Sequence, residues 1–217
     1  MSKLSELSAI VEYGKLREVE AAVEGALAEG NAPIDVLNIG LVDPINVLGE
    51  KFRLGEIFVP ELLIASRCMK IGVEKVRPLL SSGDVKSLGK VICATVAGDM
   101  HDIGKNLVAL LLGSAGFEVI DIGMDVEPES VVEALQENTD AQIIGLSALL
   151  TTTMYAMKDT IEALEEAGLR DRVKIMVGGA PVNQKFADQI GADGYATNAT
   201  SAVDLAKKLV GISTSRS

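Results

Sequence analysis

The chain has 217 residues, of which 48% are hydrophobic, and a formal net charge of −11. This hydrophobic fraction supports one or two folded domains and excludes a disordered chain. The acidic balance argues against nucleic-acid and anionic-membrane partners, and the apolar runs are far shorter than the ~20 residues of a membrane-spanning helix. Because the first residues show no secretory pattern, we expect a cytoplasmic protein.

Helical periodicity dominates the first 80 residues, where apolar side chains recur every three or four positions. This periodicity predicts four main amphipathic helices, with a short one before them: 15–29, 33–42, 43–53 and 60–80. A proline suits the first turn of three of these helices. Helices in so short a segment bury their apolar faces mainly against each other, so we expect a small helical bundle.

The stretch 81–90 is small and polar and shows no helical or strand period, which predicts a linker. We therefore expect a helical domain over 1–88 and a second domain over 89–217. Cys68 and Cys93 are far apart in the sequence and lack metal-ligand spacing, which predicts two buried free thiols rather than a disulfide or a metal site.

After residue 89 short β-branched runs alternate with helical patterns. The predicted strands are 90–96, 117–122, 142–147, 173–177 and 194–196. The predicted helices are 104–115, 128–138, 154–167, 182–190 and 200–210. This alternation predicts an α/β/α domain of the flavodoxin or Rossmann type, with a five-stranded parallel sheet.

Three unusual loops follow the first, third and fourth predicted strands. They contain D-x-H-x-x-G at 99–104, S-x-L at 147–149 and G-G at 178–179. Singly, each has an ordinary structural explanation, since aspartate, serine and glycine are common at turns and helix caps. If the strand order is the flavodoxin-like 2-1-3-4-5, however, all three loops line one crevice at the carboxyl edge of the sheet.

Together and at this spacing, the three motifs resemble the cobalamin-binding signature of corrinoid-dependent methyltransferases and several mutases. The stretch FRLGEIFVPELLIASRCMK resembles the helical cap that precedes the corrinoid domain in cobalamin-dependent methionine synthase and in small corrinoid proteins. The resemblance therefore implies a cap domain over 1–88 and a cobalamin-binding domain over 89–217.

The resemblance also gives a role to His101, the only histidine of the chain. It implies a bound cobalamin or related corrinoid in the base-off/His-on form, with His101 as the lower axial ligand of cobalt. One imidazole suffices because a corrin ring already supplies four nitrogens. Asp99 is expected to accept the other ring N–H, and Thr153 stands where methionine synthase has a serine that completes a hydroxyl relay. His101, Asp99 and Thr153 are thereby given catalytic roles.

The resemblance implies further cofactor contacts on the three loops and the last helix: Met100, Asp102, Ile103, Gly104, Ser147, Leu149, Thr151, Gly178, Gly179 and Ala199. In the cap, Phe52 and Val59 match positions that shield the upper corrin face, although packing within the bundle explains them equally well. Phe58 and Leu62 are expected in the bundle core.

The function that the resemblance implies is a methyl carrier, a subunit that is not catalytic alone. The methyl group on cobalt passes from a substrate-specific methyltransferase to a second one that uses tetrahydrofolate or coenzyme M, and a reductive activase is a further expected partner. A corrinoid-binding regulator is the alternative, while a mutase domain and a flavodoxin-like signalling domain fit the sequence less well.

Overall fold

The computed structural model describes residues 2–80 and 87–212. The chain divides into two compact units, Met1–Lys86 and Ser87–Ser217. Most of the predicted linker 81–90 lies outside the described residues, and the expected domain boundary stays a prediction.

The described part of the first unit is helical. It contains α1 (Lys3–Glu12), α2 (Val19–Ala28), α3 (Pro33–Asp35), a π-helix (Val36–Val42), α4 (Asp43–Arg53), α5 (Val59–Val76) and a 3-10 turn (Arg77–Leu79). Prolines occupy the first turn of α3, α4 and α5, as predicted. The predicted helix 33–42 is α-helical only in its first turn, because the chain then widens into the π-helix.

The expectation for Phe58 is wrong, because this side chain is 69% exposed. Phe58 is the N-cap of α5 and has an extended backbone, and its N–H donates to the Glu61 carboxylate at 3.2 Å. A residue before the first helical turn lies off the apolar stripe of the helix, which explains the exposure. Leu62, one turn into α5, is fully buried as predicted.

The second unit alternates strands and helices as predicted. Its strands are β1 (Lys90–Thr95), β2 (Glu118–Asp121), β3 (Ala141–Ser147), β4 (Lys174–Gly178) and β5 (Gly194–Ala196). Its helices are α6 (Ile103–Ser114), α7 (Pro128–Glu137), α8 (Ala156–Glu166), a 3-10 turn (Arg170–Arg172), α9 (Gln184–Gln189) and α10 (Ala199–Leu209). All neighbouring strands are parallel, in the order β2-β1-β3-β4-β5, so the flavodoxin-like order is confirmed.

Helices cover both faces of this sheet. One face buries Ile92, Ile144 and Ile175 against α7, α8 and α9, and the other buries Val91 and Ile143 against α6 and α10. This arrangement confirms the α/β/α layers. Both cysteines are buried free thiols, as predicted. Among the helices that the structure describes, none has the length and apolar character needed to cross a bilayer.

Candidate functional site

The three motif-bearing loops meet at the carboxyl edge of the sheet. The strand register places Thr95 beside Ser147 and Ser147 beside Gly178. Two backbone hydrogen bonds extend this pairing beyond the strands, from Val96 N to the Ser147 carbonyl (3.1 Å) and from Ala148 N to the Gly178 carbonyl (3.3 Å). The loops therefore line one crevice beside β1 and β3, where the strand order reverses.

Asp99 is the polar centre of these loops, and its side chain is completely buried. One carboxylate oxygen, Oδ1, accepts from the backbone N–H of His101 at 3.0 Å and contacts His101 Nδ1 at 2.7 Å. The other oxygen, Oδ2, accepts from Leu149 N at 2.7 Å and from Thr153 Oγ1 at 2.6 Å. The carboxylate thus joins the first loop to the loop after β3, and the structure brings Asp99, His101 and Thr153 together.

The hydrogen bonds decide the ionisation of Asp99. Burial alone raises the pKa of a carboxyl group, because it disfavours the charge. Here that effect is outweighed by the hydrogen bonds from Thr153, Leu149 and His101, which hold the pKa of Asp99 well below its usual value. Asp99 is therefore a carboxylate at physiological pH and can only accept hydrogen bonds.

The ionised carboxylate fixes the orientation and the tautomer of His101. Since Asp99 can only accept, the imidazole must carry a proton on Nδ1 to form the 2.7 Å contact. In the tautomer that carries only the Nδ1 proton, Nε2 has a free lone pair, and no described residue forms a hydrogen bond with it. The side chain of His101 is half exposed, which leaves this nitrogen accessible to a metal.

Asp125 braces the loop that carries His101. Its φ of 53° lies in the left-handed region, which no other described non-glycine residue adopts. Its carboxylate accepts from Gly98 N at 2.7 Å, and its own N–H donates to the Asp99 carbonyl at 3.0 Å. A third hydrogen bond, from Thr95 Oγ1 to the His101 carbonyl (3.2 Å), holds the far end of the loop. Asp125 was not predicted from the sequence as a residue of the site.

A cavity of about 690 Å³ opens beside His101, between the sheet and helices α6 and α10. Ten of the residues predicted to contact a cofactor line it: Met100, His101, Asp102, Ile103, Gly104, Ser147, Leu149, Gly178, Gly179 and Ala199. Asp99 and Thr153 lie behind this lining as the partners of His101. Thr151 is exposed on the loop after β3 and is not part of the lining.

Several lining residues were not predicted from the sequence. Among them are Cys93, Gly145 and Met176 on the strands, and Lys105 in the first turn of α6. Lys105 is 4% exposed, and its Nζ lies 2.5 Å from both carboxylate oxygens of Asp121. This ion pair leaves no unpaired charge on Lys105.

The glycines of the motifs serve different purposes. A Cβ at Gly104 meets no heavy atom within 4 Å, so this position leaves open space beside the cavity. Gly179 has a φ of +124°, and a Cβ there lies 1.8 Å from the Ala148 carbonyl oxygen. The resemblance implies cofactor contacts for the G-G pair, but a glycine at 179 is already required by the backbone of the chain itself.

Phe52 and Val59 belong to the helical unit. Phe52 lies on α4 and is half-buried, whereas Val59 begins α5 and is 36% exposed. Both have enough exposed surface for a contact, and the shielding role implied for them stays a prediction.

Comparison with known proteins places this geometry in a family. Two family models described as B12 binding domain match residues 89–204 and 4–77. Dimethylamine corrinoid protein 3 of Methanosarcina acetivorans is 47% identical over 207 residues, which are 95% of this chain and 96% of that protein.

Two solved structures are also similar. A chain of the methanol:cobalamin methyltransferase complex MtaBC from Methanosarcina barkeri matches with a TM-score of 0.87 and 31% identity, over 98% of this chain and 81% of that chain. A cobalamin-binding protein from Desulfitobacterium hafniense matches with a TM-score of 0.75 and 31% identity, over 96% of this chain and 98% of that chain. The cavity, its histidine and these matches over nearly the whole length lead to one conclusion: the chain belongs to the family of B12-binding corrinoid proteins.

Proposed function

We propose that this chain binds a corrinoid through His101 and carries a methyl group between two methyltransferases. The observation that supports this function best is the His101–Asp99–Thr153 chain of hydrogen bonds beside the cavity that His101 lines. The 47% identity to a dimethylamine corrinoid protein favours a methylated amine as the methyl donor. The second methyltransferase uses tetrahydrofolate or coenzyme M. A reductive activase returns the carrier to its reduced state.

The residues of the site fit a corrinoid. His101 is half exposed, and no described residue forms a hydrogen bond with its Nε2. One protein nitrogen suffices as a ligand, because a corrin already binds its metal through four nitrogens. Gly104 leaves open space beside it. The cavity provides room for the nucleotide tail once its base is off the metal, as the base-off/His-on form requires.

Each side chain of the hydrogen-bonded chain has a separate task. When bound, the corrinoid supplies a cobalt centre that accepts and releases a methyl group. Asp99 orients the imidazole and keeps the Nδ1 proton, so that Nε2 is the ligand atom. If Nε2 leaves the metal and takes up a proton, the carboxylate stabilises the resulting imidazolium, and Thr153 holds the other carboxylate oxygen in place.

Electron paramagnetic resonance tests the ligand assignment. The full chain is loaded with cobalamin, reduced to the cobalt(II) state and compared with protein carrying ¹⁵N-labelled histidine. Because the chain contains one histidine, a change in the nitrogen hyperfine splitting on labelling identifies His101 as the axial ligand. A splitting that comes from the benzimidazole of the cofactor would overturn the base-off/His-on form, and no cobalamin binding would overturn the function.

Replacing Thr153 by alanine tests the relay. Thr153 donates to Asp99 at 2.6 Å but does not line the cavity. The substitution is therefore expected to change the pH dependence of the cobalt(II)/cobalt(I) midpoint potential while cobalamin affinity stays within about fivefold, the equivalent of about 1 kcal/mol, because the hydrogen bond from Thr153 to the ionised Asp99 acts on binding only through His101. Thr153→Ser keeps the hydroxyl and should behave as the native chain. An affinity loss in Thr153→Ala with an unchanged pH dependence would contradict the relay.

A further inference from the structure

The closed end of the cavity is a single row of residues across three strands. The strand register pairs Cys93 on β1 with Gly145 on β3, and Gly145 with Met176 on β4, so all three face the same side of the sheet. All three line the cavity. The next residues on that face toward the amino edge, Val91 and Ile143, are fully buried and do not line it. The row therefore forms the floor of the cavity.

The floor itself carries no charged side chain, and Lys105, which also lines the cavity, is paired with Asp121. Val108 of α6 and Ala202 of α10 line the cavity beside the row. Burial raises the pKa of the Cys93 thiol to about 12, and nearby Asp121 adds to the rise, so the thiol is neutral at physiological pH. An uncharged, largely apolar floor suits a flat aromatic group better than a phosphate or a sugar.

Gly145 is the residue of the floor that has no side chain, so the cavity is deepest there. A Cβ there lies 3.1 Å from Met176 Cε and 3.7 Å from Cys93 Sγ, so even one methyl group would push the Met176 side chain. Met176 is 3% exposed, belongs to the buried cluster between the sheet and helices α6 and α10, and lines the cavity, so a displacement of its side chain changes the space at the floor. The depth of the cavity thus depends on the absence of a side chain at 145.

We propose that Gly145 is a specificity-determining residue, which selects corrinoids by the size of their lower base and admits a two-ring base such as benzimidazole. The inference rests on the proposed function, because it assigns the tail of the corrinoid to this cavity. Naturally occurring corrinoids differ in this base, which can be a benzimidazole, a purine or a one-ring phenol. A side chain at 145 would shorten the cavity and penalise the larger bases most.

The test compares corrinoid affinities of the full-length native chain and Gly145→Ala by absorbance titration. The ligands are cobinamide, which lacks the base, a corrinoid with a phenolic base, and cobalamin. We expect Gly145→Ala to weaken cobalamin binding about tenfold relative to cobinamide, because an added methyl group overpacks the floor where the base is bound. The phenolic corrinoid should be affected less.

Two further variants separate selection from misfolding. Gly113→Ala is the matched control, because a Cβ on this α6 glycine meets nothing within 4 Å and Gly113 does not line the cavity. It should leave all three affinities unchanged. Adding Met176→Val to Gly145→Ala removes the crowded Cε and should restore cobalamin binding relative to cobinamide.

The affinity ratios distinguish the possible failures. A ratio of cobalamin to cobinamide affinity that Gly145→Ala leaves unchanged would overturn the inference, and so would a loss of both affinities that the added Met176→Val does not reverse. In either case the proposed function would still stand on the native chain. A native chain that binds neither cobalamin nor cobinamide would overturn the proposed function together with the inference.

Discussion

Replacing Asp99 by asparagine is expected to weaken corrinoid binding about 10–100-fold, the usual effect of losing the partner of a ligating histidine. The carboxylate accepts hydrogen bonds on both oxygens, from His101 on one and from Leu149 and Thr153 on the other. An amide has one accepting oxygen and one donating nitrogen. Whichever way it turns, its N–H₂ faces at least one donor, which leaves a buried polar group unsatisfied at a cost of about 1–3 kcal/mol.

Absorbance titration with cobalamin and urea unfolding measure these two effects. Asp159→Asn is the control, because it removes the same charge from an exposed position on α8 outside the cavity lining. If Asp99→Asn binds cobalamin as tightly as Asp159→Asn, the orienting role assigned to Asp99 is wrong.

The acid dependence of stability provides a second measurement on the same variant. The pKa of Asp99 is lowered in the folded chain, so its ionised form contributes stability above the unfolded pKa of about 3.9. That contribution decreases as the pH falls from there toward the lower folded pKa. The free energy of unfolding of Asp99→Asn should therefore decrease less than that of the native chain between about pH 5 and pH 3.

Gly179→Ala is expected to lower the free energy of unfolding by about 4 kcal/mol, as the sum of backbone strain and overpacking. Its Cβ would lie 1.8 Å from the Ala148 carbonyl oxygen and 2.9 Å from the carbonyl carbon. These are backbone atoms, and Ala148 N donates to the Gly178 carbonyl, so the loop cannot give way without breaking its link to β4.

A substitution at a second glycine separates the effect of the close contact at 179 from the effect of backbone strain. Gly123 also has a positive φ, +100°, but a Cβ there meets nothing within 4 Å. Gly123→Ala should therefore show only the strain, about 1–3 kcal/mol. Urea unfolding followed by circular dichroism compares the two variants. Equal losses would mean that the loop around residue 179 relaxes and that the close contact has little energetic effect.

The strands and most helices could be predicted because their apolar periods are regular and their ends carry proline, glycine or asparagine. The flavodoxin-like strand order was assumed as a condition, and the structure has this order. The location of the site followed from it, since ligands bind at the carboxyl ends of parallel strands. The contact of Asp99 with His101 was expected from the resemblance alone.

Other features leave no local signal in the sequence. Cys93 and Met176 look like ordinary core residues, because a strand alternates its side chains in the same way above a cavity as above a packed layer. Asp125 acts through its backbone conformation and through a partner 27 positions away, Gly98. Phe58 lies one position before a helix begins, and boundaries are the least regular part of an apolar pattern.

The hydrogen bonds of Asp125 also affect the rate at which the cofactor binds to the site. Its hydrogen bonds to Gly98 and Asp99 come from the chain itself, so these contacts restrain the loop before His101 independently of any contact with a ligand. Fixing the backbone of one residue costs roughly 1–2 kcal/mol of conformational entropy, and this preorganisation removes that cost from the binding step. Loading should then be limited by encounter and entry into the cavity rather than by folding of the loop.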